Sequence, residues 1–369
     1  MTRMVWVGFV FLYGCGLWSK AENLPEANTS PWKFDLDFKE NAAPSEKEIG
    51  AEEIFSKYGS VQLVPSGESI HGLLGVKRSG DVMHLSAVYL GENTKGEKFL
   101  LSAGHLDNKF FQIQNVFAYF SHTTDPPVEA ELLIIDRVLD WALLKIKDKN
   151  FKVPKRAPPI GNSDNLVLGQ KVFAIGSPLG YSHCIREGIV VNLSTAQNYF
   201  FTQPKLIMHQ CPINPGDSGG GLYNAKGELI GLNVMGREAP NWVLFAVPIE
   251  DILKVLKRTE KAGYVEHPFL GCKAWNTWDL SSRDLAEVGI ERPPKTGVLI
   301  TKIERGSPAE KSGLKPGDVL ISYDGRFPKD YNDLSRYIIC ECEAGQTINL
   351  VIDRYGTEIQ IAAQLGKLE

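Results

Sequence analysis

Apolar segments of five to ten residues alternate with short stretches rich in Gly, Pro, Asn and Asp from about residue 59 to residue 248. Because strands are short and end at such turn residues, this pattern predicts about a dozen strands with no long helix between them. They include residues 84–90, 98–103, 111–120, 129–135, 141–146, 171–175, 188–193, 205–209, 228–234 and 243–247. Closely spaced strands of this kind are typical of all-β barrels or sandwiches.

A different pattern begins at Pro248. This proline suits the start of a helix, apolar residues then recur at helical spacing, and Gly263 provides a glycine stop. The apolar face consists of Ile249, Ile252, Leu253, Val255 and Leu256. The last 105 residues mix predicted strands with helices at 307–314 and 331–342. This mixture indicates an α+β domain.

The length of 369 residues allows two domains with sizeable cores. We predict a targeting signal at residues 1–21, an acidic spacer with a short helix at 22–58, an all-β domain at 59–264 and an α+β domain at 265–369. Hydrophobic residues make up 43% of the chain and charged residues 23%, as in ordinary globular proteins. The net charge is −4 and no cluster of Lys and Arg is present, so nucleic acid is not an expected partner.

The N-terminus resembles a secretory signal. Arg3 precedes an apolar run over residues 4–18, which is short for a membrane span. Three outcomes remain open: cleavage before Glu22, lipidation of Cys15 in a loose lipobox at residues 12–15, or an uncleaved anchor. Each outcome makes the protein extracytoplasmic, either in the periplasm or anchored to a membrane.

The spacer is acidic, with nine acidic and three basic side chains in residues 21–55. An anionic membrane surface would repel it, so we interpret it as a solvated segment. Ser45 and Glu48 have the spacing of a capping box, which predicts a helix from there to about Lys57.

Six cysteines are present, at positions 15, 184, 211, 272, 340 and 342. If Cys15 is removed or lipidated, five remain and cannot all pair within one chain. Whether Cys184 and Cys211 pair stays open. Cys340 and Cys342 point about 200° apart around a predicted helix, so we interpret them as structural thiols. No zinc-binding spacing is present, and no metal or cofactor is expected.

Residues 216–220, Gly-Asp-Ser-Gly-Gly, carry the strongest chemical signal. The surrounding glycines let the backbone fold tightly around Ser218. They also allow the amides of Gly216 and Ser218 to point at one place beside its hydroxyl, as in an oxyanion hole. An ordinary Gly-rich hairpin turn is the alternative.

A serine nucleophile needs a base, and the base needs a carboxylate that orients it. Among seven histidines, His105 ends an apolar strand that stops on small residues, which let a bulky turn approach the imidazole. Asp140 directly precedes a strand that reads as buried, where a carboxylate is costly without a partner. The alternatives are a histidine that merely ends a strand and a turn aspartate paired with Arg137.

These residues resemble those of the HtrA (high-temperature-requirement A, Deg-type) serine proteases. The matching segments are Leu-Leu-Ser-Ala-Gly-His at 100–105, Leu-Asp-Trp-Ala-Leu-Leu-Lys-Ile at 139–146 and Ile-Asn-Pro-Gly-Asp-Ser-Gly-Gly-Gly-Leu at 213–222. The order His105, Asp140, Ser218 is that of chymotrypsin-like enzymes. The resemblance covers roughly residues 50–369. It implies a double β-barrel protease domain, a C-terminal PDZ domain and cleavage of unfolded extracytoplasmic proteins.

Residues 307–320, which read Ser-Pro-Ala-x-x-x-Gly-Leu-x-x-Gly-Asp-x-Leu, look like a PDZ signature. PDZ domains add a peptide C-terminus as a strand to a sheet edge and hold its carboxylate with backbone amides. The carboxylate-binding loop implied here consists of Phe269, Leu270, Gly271 and Cys272. Gly271 leaves room for the anion, and a simple turn into a strand is the alternative. The peptide would lie between residues 272–275 and the helix near Tyr331.

Trypsin-type specificity requires an acid six residues before the nucleophile, where this chain has Pro212. Leu232 and Val234 are candidates for the wall of the same pocket. We therefore expect cleavage after small or medium aliphatic residues.

The family packs protomers into trimers with aromatic residues near the N-terminus. The candidates here are Trp32, Phe34, Phe38 and Phe55. Packing of these rings against the chain's own barrel is an equal alternative to a homotrimer.

Three residues depart from the family pattern: Gly104 replaces an alanine, Asp217 an asparagine and Gly221 a proline. In digestive proteases, the aspartate at the position of Asp217 pairs with a new N-terminus created by zymogen cleavage. No Arg-Ile-Val-Gly-Gly junction is present here, so that activation route is not expected. A catalytically impaired chaperone or PDZ-based peptide sensor is the alternative to an active protease.

Overall fold

The computed structural model describes residues 35–38, 43–71, 76–106, 111–121, 125–181, 184–195, 205–237, 243–277 and 297–368. The helices are α1 Ala51–Tyr58, α2 Ile249–Ala262, α3 Pro308–Lys311 and α4 Tyr331–Glu341. The strands are β1 Val61–His71, β2 Val76–Val82, β3 Leu85–Glu92, β4 Lys98–Ala103, β5 Phe111–Phe120, β6 Val128–Asp136, β7 Trp141–Ile146, β8 Lys171–Gly176, β9 Cys184–Thr195, β10 Leu206–His209, β11 Gly221–Asn224, β12 Leu229–Arg237, β13 Val243–Pro248, β14 Pro268–Phe269, β15 Cys272–Asn276, β16 Val298–Ile303, β17 Val319–Tyr323, β18 Thr347–Arg354, β19 Thr357–Gln364 and β20 Gly366–Lys367.

The predicted signal segment, with Cys15 and the cleavage position before Glu22, lies outside the described residues. Within those residues, no helix combines the length and the apolar character that crossing a bilayer requires.

The first barrel contains strands β1 to β7. Its strands are hydrogen-bonded in the order β1-β3-β4-β7-β6-β5, and β1 pairs again with β5 to close a ring of six strands, while β2 extends β1. Strand β4 is buried along its whole length, because its neighbours β3 and β7 flank it and the barrel core covers its inner face. The long apolar runs in the sequence reflect this burial.

The second barrel closes in the order β10-β13-β12-β11-β8-β9. Together the two barrels confirm the predicted chymotrypsin-like all-β architecture. Helix α2 follows β13, with Pro248 before its first residue, and it ends at Gly263, whose φ of 81° is left-handed. Its apolar face, including Ile252 and Val255, is buried in the cluster that also contains the first barrel's core.

The C-terminal domain is an α+β unit, as predicted. Strands β15 to β19 form a five-stranded sheet in sequence order, and β14 pairs with β20. Its apolar core is a separate cluster that includes Leu270, Leu320 and Ile338.

Ion pairs join this domain to the second barrel. Arg336 of α4 donates from Nε to both oxygens of Asp251 in α2 at 2.8 and 2.9 Å, and from Nη1 to Asp164 at 2.6 Å. Arg258 of α2 donates in return to the carbonyl oxygen of Cys342 at 2.7 Å. The C-terminal domain is thus held against α2 by charged contacts from both sides.

The capping-box prediction for the first helix is wrong. Helix α1 begins at Ala51, and Ser45 Oγ accepts instead from the amide of Lys47 at 3.3 Å. The amide of Ile49 donates to the carbonyl of Ala225 at 2.7 Å. This contact with the second barrel holds the chain extended before Ala51, which local sequence could not indicate.

All five cysteines in the described residues are free thiols, so Cys184 and Cys211 are not paired. Burial raises the pKa of Cys211 to about 12, which keeps that thiol protonated. Cys340 lies in the core shared by the barrels, whereas Cys342 lies in the core of the C-terminal domain. The two side chains thus enter different cores, and helix α4 ends at Glu341, one residue before Cys342.

Two of the N-terminal aromatic residues pack inside the chain. The ring of Phe38 meets that of Phe99 edge to face, with centroids 5.8 Å apart. Phe55 of α1 is buried in the barrel core. Trp32 and Phe34 lie outside the described residues. For Phe38 and Phe55, the contacts are those of the alternative prediction, packing against the chain's own barrel.

Candidate active site

Antiparallel pairing of β4 with β7 brings the first two candidate residues together. Ala103, near the end of β4, lies opposite Trp141 at the start of β7. His105 follows the one strand and Asp140 precedes the other, so the two residues meet at the same edge of the barrel. Two residues 35 positions apart thereby become neighbours.

Asp140 holds His105 through both its side chain and its backbone. The imidazole Nδ1 donates to Asp140 Oδ2 at 2.8 Å, and the amide of His105 donates to Oδ1 at 2.8 Å. With Nδ1 as the donor, Nε2 carries the lone pair that a general base needs. The side chain of His105 is 40% exposed and that of Asp140 17%, so the imidazole is open to a substrate.

The pKa of His105 reflects two opposing effects. Burial disfavours the imidazolium, but the negative charge of Asp140 and its hydrogen bond outweigh this and raise the pKa above 6.5. Asp140 therefore stabilises the protonated state of His105.

The turn before Asp140 is built by Asp136, whose Oδ1 accepts from the amides of Val138 at 2.8 Å and Leu139 at 3.0 Å. Asp140 itself has a φ of 55°, in the left-handed region that aspartate tolerates better than most residues. A Cβ at Gly104 would lie 2.8 Å from the carbonyl oxygen of Asp136. The departure to glycine at position 104 thus lets the His105 and Asp140 segments approach closely.

Ser218 is carried to the same edge by backbone contacts with the first barrel. The amide of Ser86 in β3 donates to the carbonyl of Ser218 at 2.8 Å. Gly219 has a φ of 86°, and a Cβ there would overlap the carbonyl oxygen of Ser86 and lie 2.8 Å from the amide nitrogen of Ala103. Ser218 is therefore held beside the end of β4, two residues before His105. Its Oγ donates to the carbonyl of Val234 at 3.4 Å.

The amides of Gly216 and Ser218 are free to donate hydrogen bonds to an anion. Pro215 O accepts from the amide of Leu179 at 2.7 Å, and Asp217 O accepts from that of Gly220 at 2.9 Å. In a trans peptide the N–H points opposite to the C=O, so the next amides, those of Gly216 and Ser218, point away from these partners. Within the described residues, neither amide donates a hydrogen bond.

Sequence reasoning missed Ser86. Its Oγ donates to the carbonyl of Gly216 at 2.7 Å and accepts from the amide of Ser177 at 2.8 Å. One buried hydroxyl thereby links the turn around Ser218 to the segment after β8. Ser86 lies 130 residues from Gly216, and no local pattern marks it.

The three candidate pocket residues differ in environment. Pro212 is exposed in the segment after β10, whereas Leu232 and Val234 are buried in β12. The contact of Val234 O with Ser218 Oγ places this strand beside the candidate nucleophile.

The candidate carboxylate-binding loop lies between β14 and β15. The carbonyl of Leu270 accepts from the amide of Ala309 at 2.8 Å, and that of Gly271 accepts from the amide of Glu304 at 2.9 Å. The amides of the same peptide units, those of Gly271 and Cys272, therefore point to the opposite side. Gly271 has a φ of 83°, and a Cβ there would overlap Ser307.

Comparison with known proteins gives the same organisation. A family model described as a trypsin-like peptidase domain matches residues 85–232, and a PDZ domain model matches residues 269–365. Two parts of the chain thus match a trypsin-like peptidase domain and a PDZ domain, and the curated relatives that it matches are named as DegP-like or HtrA-like serine proteases.

One relative of this HtrA-like chain is a probable periplasmic serine endoprotease, DegP-like, of Hahella chejuensis. It is 33% identical over 245 residues, which cover 65% of this chain and 49% of the relative. A putative serine protease HhoB of Synechocystis sp. is 32% identical over 62% of this chain and 55% of its own length. The chain thus spans about half the length of the curated relatives it matches.

The fold is also that of solved HtrA-type structures. The HtrA-type protease AlgW with a tripeptide has a TM-score of 0.67 at 24% identity, and the match covers 87% of this chain and 98% of that one. This likeness confirms the predicted fold class.

Proposed function

We propose that this chain is a serine endopeptidase that cleaves unfolded proteins through an acyl-enzyme on Ser218. One observation carries the proposal: Asp140 holds His105 in the tautomer of a general base, at the barrel edge where the backbone of Ser218 is anchored. The names of the relatives and the peptidase domain support it.

In the proposed reaction, Ser218 Oγ attacks the substrate carbonyl while His105 Nε2 takes the hydroxyl proton. Asp140 stabilises the resulting imidazolium through Nδ1. The amides of Gly216 and Ser218 stabilise the oxyanion, and His105 then gives its proton to the leaving amine. Water, activated by the same imidazole, releases the product acid and restores Ser218.

A fluorophosphonate probe tests the proposal directly, because it reacts with activated serines. We expect the wild type to be labelled and Ser218→Ala to be unlabelled, while Ser56→Ala, which changes an exposed serine of α1, is labelled normally. A wild type that resists labelling, does not cleave casein at any temperature and yet suppresses aggregation would establish the chaperone alternative instead.

The proposed specificity is for small or medium aliphatic residues before the cleaved bond. It is supported by Pro212, which offers no charge to an arginine or lysine, and by the apolar side chains of Leu232 and Val234. Profiling with a peptide library tests it, and a preference for Arg or Lys would refute it.

The PDZ domain is proposed to bind peptide C-termini through Phe269, Leu270, Gly271 and Cys272. The direction of the Gly271 and Cys272 amides supports this role, as does the edge position of β15 in its sheet. Gly271→Ala introduces a Cβ that would overlap Ser307, so we expect it to abolish binding of a C-terminal peptide. The same peptide with an amidated C-terminus serves as the ligand control, and equal binding of both peptides would refute carboxylate recognition.

The proposed location is extracytoplasmic, supported by the expected signal segment and by a relative described as periplasmic. Mass spectrometry of the mature N-terminus separates cleavage before Glu22, lipidation of Cys15 and retention of the anchor. Assembly into a homotrimer is likewise a proposal, supported only by the family resemblance. Sedimentation equilibrium tests it, and a monomeric mass would exclude a trimer.

A further inference from the structure

Asp217, the residue before the nucleophile, is a buried acid that ties together the turn around Ser218. It is 1% exposed, and its Oδ2 accepts from the amide of Asn214 at 2.7 Å. Its own amide donates to Asn214 O at 3.0 Å, and its carbonyl accepts from Gly220 at 2.9 Å. Asp217 thus fixes both ends of residues 214–220, here called the oxyanion loop.

The second carboxylate oxygen of Asp217 is paired with Arg186 of β9. Arg186 Nη2 donates to Asp217 Oδ1, and the arginine side chain is only 18% exposed. A Cβ at Gly176, at the end of β8, would overlap the same oxygen. The carboxylate is therefore enclosed between the end of β8 and the side chain that β9 supplies.

A carboxylate at this depth requires a cation. Burial raises the pKa of Asp217, and the positive charge of Arg186 opposes that rise. Within the described residues, Arg186 is the only side-chain cation paired with Asp217. Removing the guanidinium would leave an uncompensated buried charge, which is strongly destabilising.

We infer that Arg186 is a positioning residue for the oxyanion loop, holding Asp217 from strand β9 within the same chain. In the digestive proteases, a newly formed N-terminus pairs with the aspartate at the position of Asp217. In this chain, Arg186 supplies that positive charge instead. The aspartate that replaces the family asparagine at position 217 therefore has a balancing cation in this chain. The loop is ordered by folding alone, without a cleavage step. This inference rests on the proposed protease function.

Four variants test the inference. Arg186→Met removes the charge and keeps the length, whereas Arg186→Lys keeps a cation. Arg186→Met combined with Asp217→Asn removes both charges. Lys171→Met is the matched control, because Lys171 pairs with Glu187 on the same β8–β9 hairpin but both side chains are about half exposed.

The first measurement is kinetic. Loss of an oxyanion-hole donor lowers kcat by about 10²–10³-fold, so we expect Arg186→Met to lose roughly that factor in kcat, with a much smaller change in KM. Arg186→Lys should retain most activity, and the double variant should recover at least about tenfold over Arg186→Met, because neighbouring charges are coupled. Lys171→Met should match the wild type.

The second measurement is amide hydrogen exchange, which does not depend on catalysis. In Arg186→Met we expect faster exchange at the Asp217 and Gly220 amides, whereas the β18–β19 amides stay protected. Full protection of the loop amides together with wild-type kcat in Arg186→Met would overturn the inference. A kcat of the double variant no higher than that of Arg186→Met would also overturn it.

If the wild type proves inactive, the protease proposal fails, and the exchange data alone decide whether Arg186 orders the loop. If Arg186→Met does not fold, the double variant and Arg186→Lys decide the result.

Discussion

The imidazole Nε2 of His267 donates to Oδ1 of Asp136 at 2.9 Å, and both side chains are almost fully buried. His267 precedes β14, which leads into the candidate carboxylate-binding loop of the PDZ domain. Asp136 builds the turn that carries Asp140. A single hydrogen bond, between residues 131 positions apart, thus connects the start of the PDZ domain to the turn that orients the candidate general base.

Replacement of His267 by leucine removes this connection. A hydrogen bond to a charged group contributes about 1.5–3 kcal/mol, so we expect the free energy of unfolding in urea to fall by about that amount. Because the turn before Asp140 loses a support, kcat should fall more than KM rises. Tyr264→Leu, at a half-exposed position of the same linker, is the control. Unchanged kcat in a destabilised His267→Leu protein would show that the bond is structural only.

The raised pKa of His105 sets the pH dependence of the proposed activity. The general base must be neutral, and a pKa above 6.5 keeps the imidazolium present to higher pH, so the acid limb of kcat/KM should lie above pH 6.5. Asp140→Asn removes the stabilising charge. It should move the limb to lower pH and reduce kcat by about 10⁴-fold. Asp148→Asn, an exposed change, should do neither, and an acid limb that stays in place in Asp140→Asn would contradict the assignment.

Arg336 is expected to hold the PDZ domain on helix α2. Arg336→Met leaves the fully buried carboxylate of Asp251 without its partner, and breaking such a buried pair costs about 3–5 kcal/mol. Small-angle scattering should show a larger radius of gyration, and calorimetry should separate PDZ melting from that of the barrels. Arg326→Met removes an exposed arginine of the same domain as a control. A wild-type scattering profile for Arg336→Met would exclude this role.

The buried His209 makes stability depend on pH. Burial lowers its pKa from 6.5 to about 4, so it stays neutral in the folded protein. The unfolded chain takes up the proton first as pH falls. The stabilising effect is therefore fully present above pH 6.5 and is lost progressively toward pH 4, by about 3 kcal/mol in total. Urea unfolding of wild type and His209→Gln across this range should show a shallower dependence in the variant, and parallel curves would refute the prediction.

The sequence alone indicated the candidate catalytic residues because the relevant signals are local. Glycines around Ser218, small residues before His105 and the apolar run after Asp140 each lie within ten residues of the group they mark. The bounds predicted from the sequence for two strands, 111–120 and 141–146, match those of β5 and β7. The resemblance to a known family added the double barrel and the PDZ domain, which the structure confirms.

Strand β1 and the start of α1 were less accessible to sequence reasoning. Strand β1 contains Pro65, Ser66 and Gly67, which usually mark a turn, yet it pairs along its length with β5. The start of α1 is set by the contact of Ile49 with Ala225 rather than by the local capping pattern. In both cases a partner distant in sequence outweighs local preference.

What the sequence predicted by itself is therefore the set of candidate reacting groups and the class of fold. Only the tertiary structure decided which residues support those groups. Arg186 pairs with Asp217, the Ser86 hydroxyl donates to the carbonyl of Gly216, and His267 donates to Asp136. A charged or polar residue in a strand carries no local sign of its partner, because that partner is set by which strands meet when the barrels close. Burial then makes each such pair energetically significant, since an unpaired polar group away from water is costly.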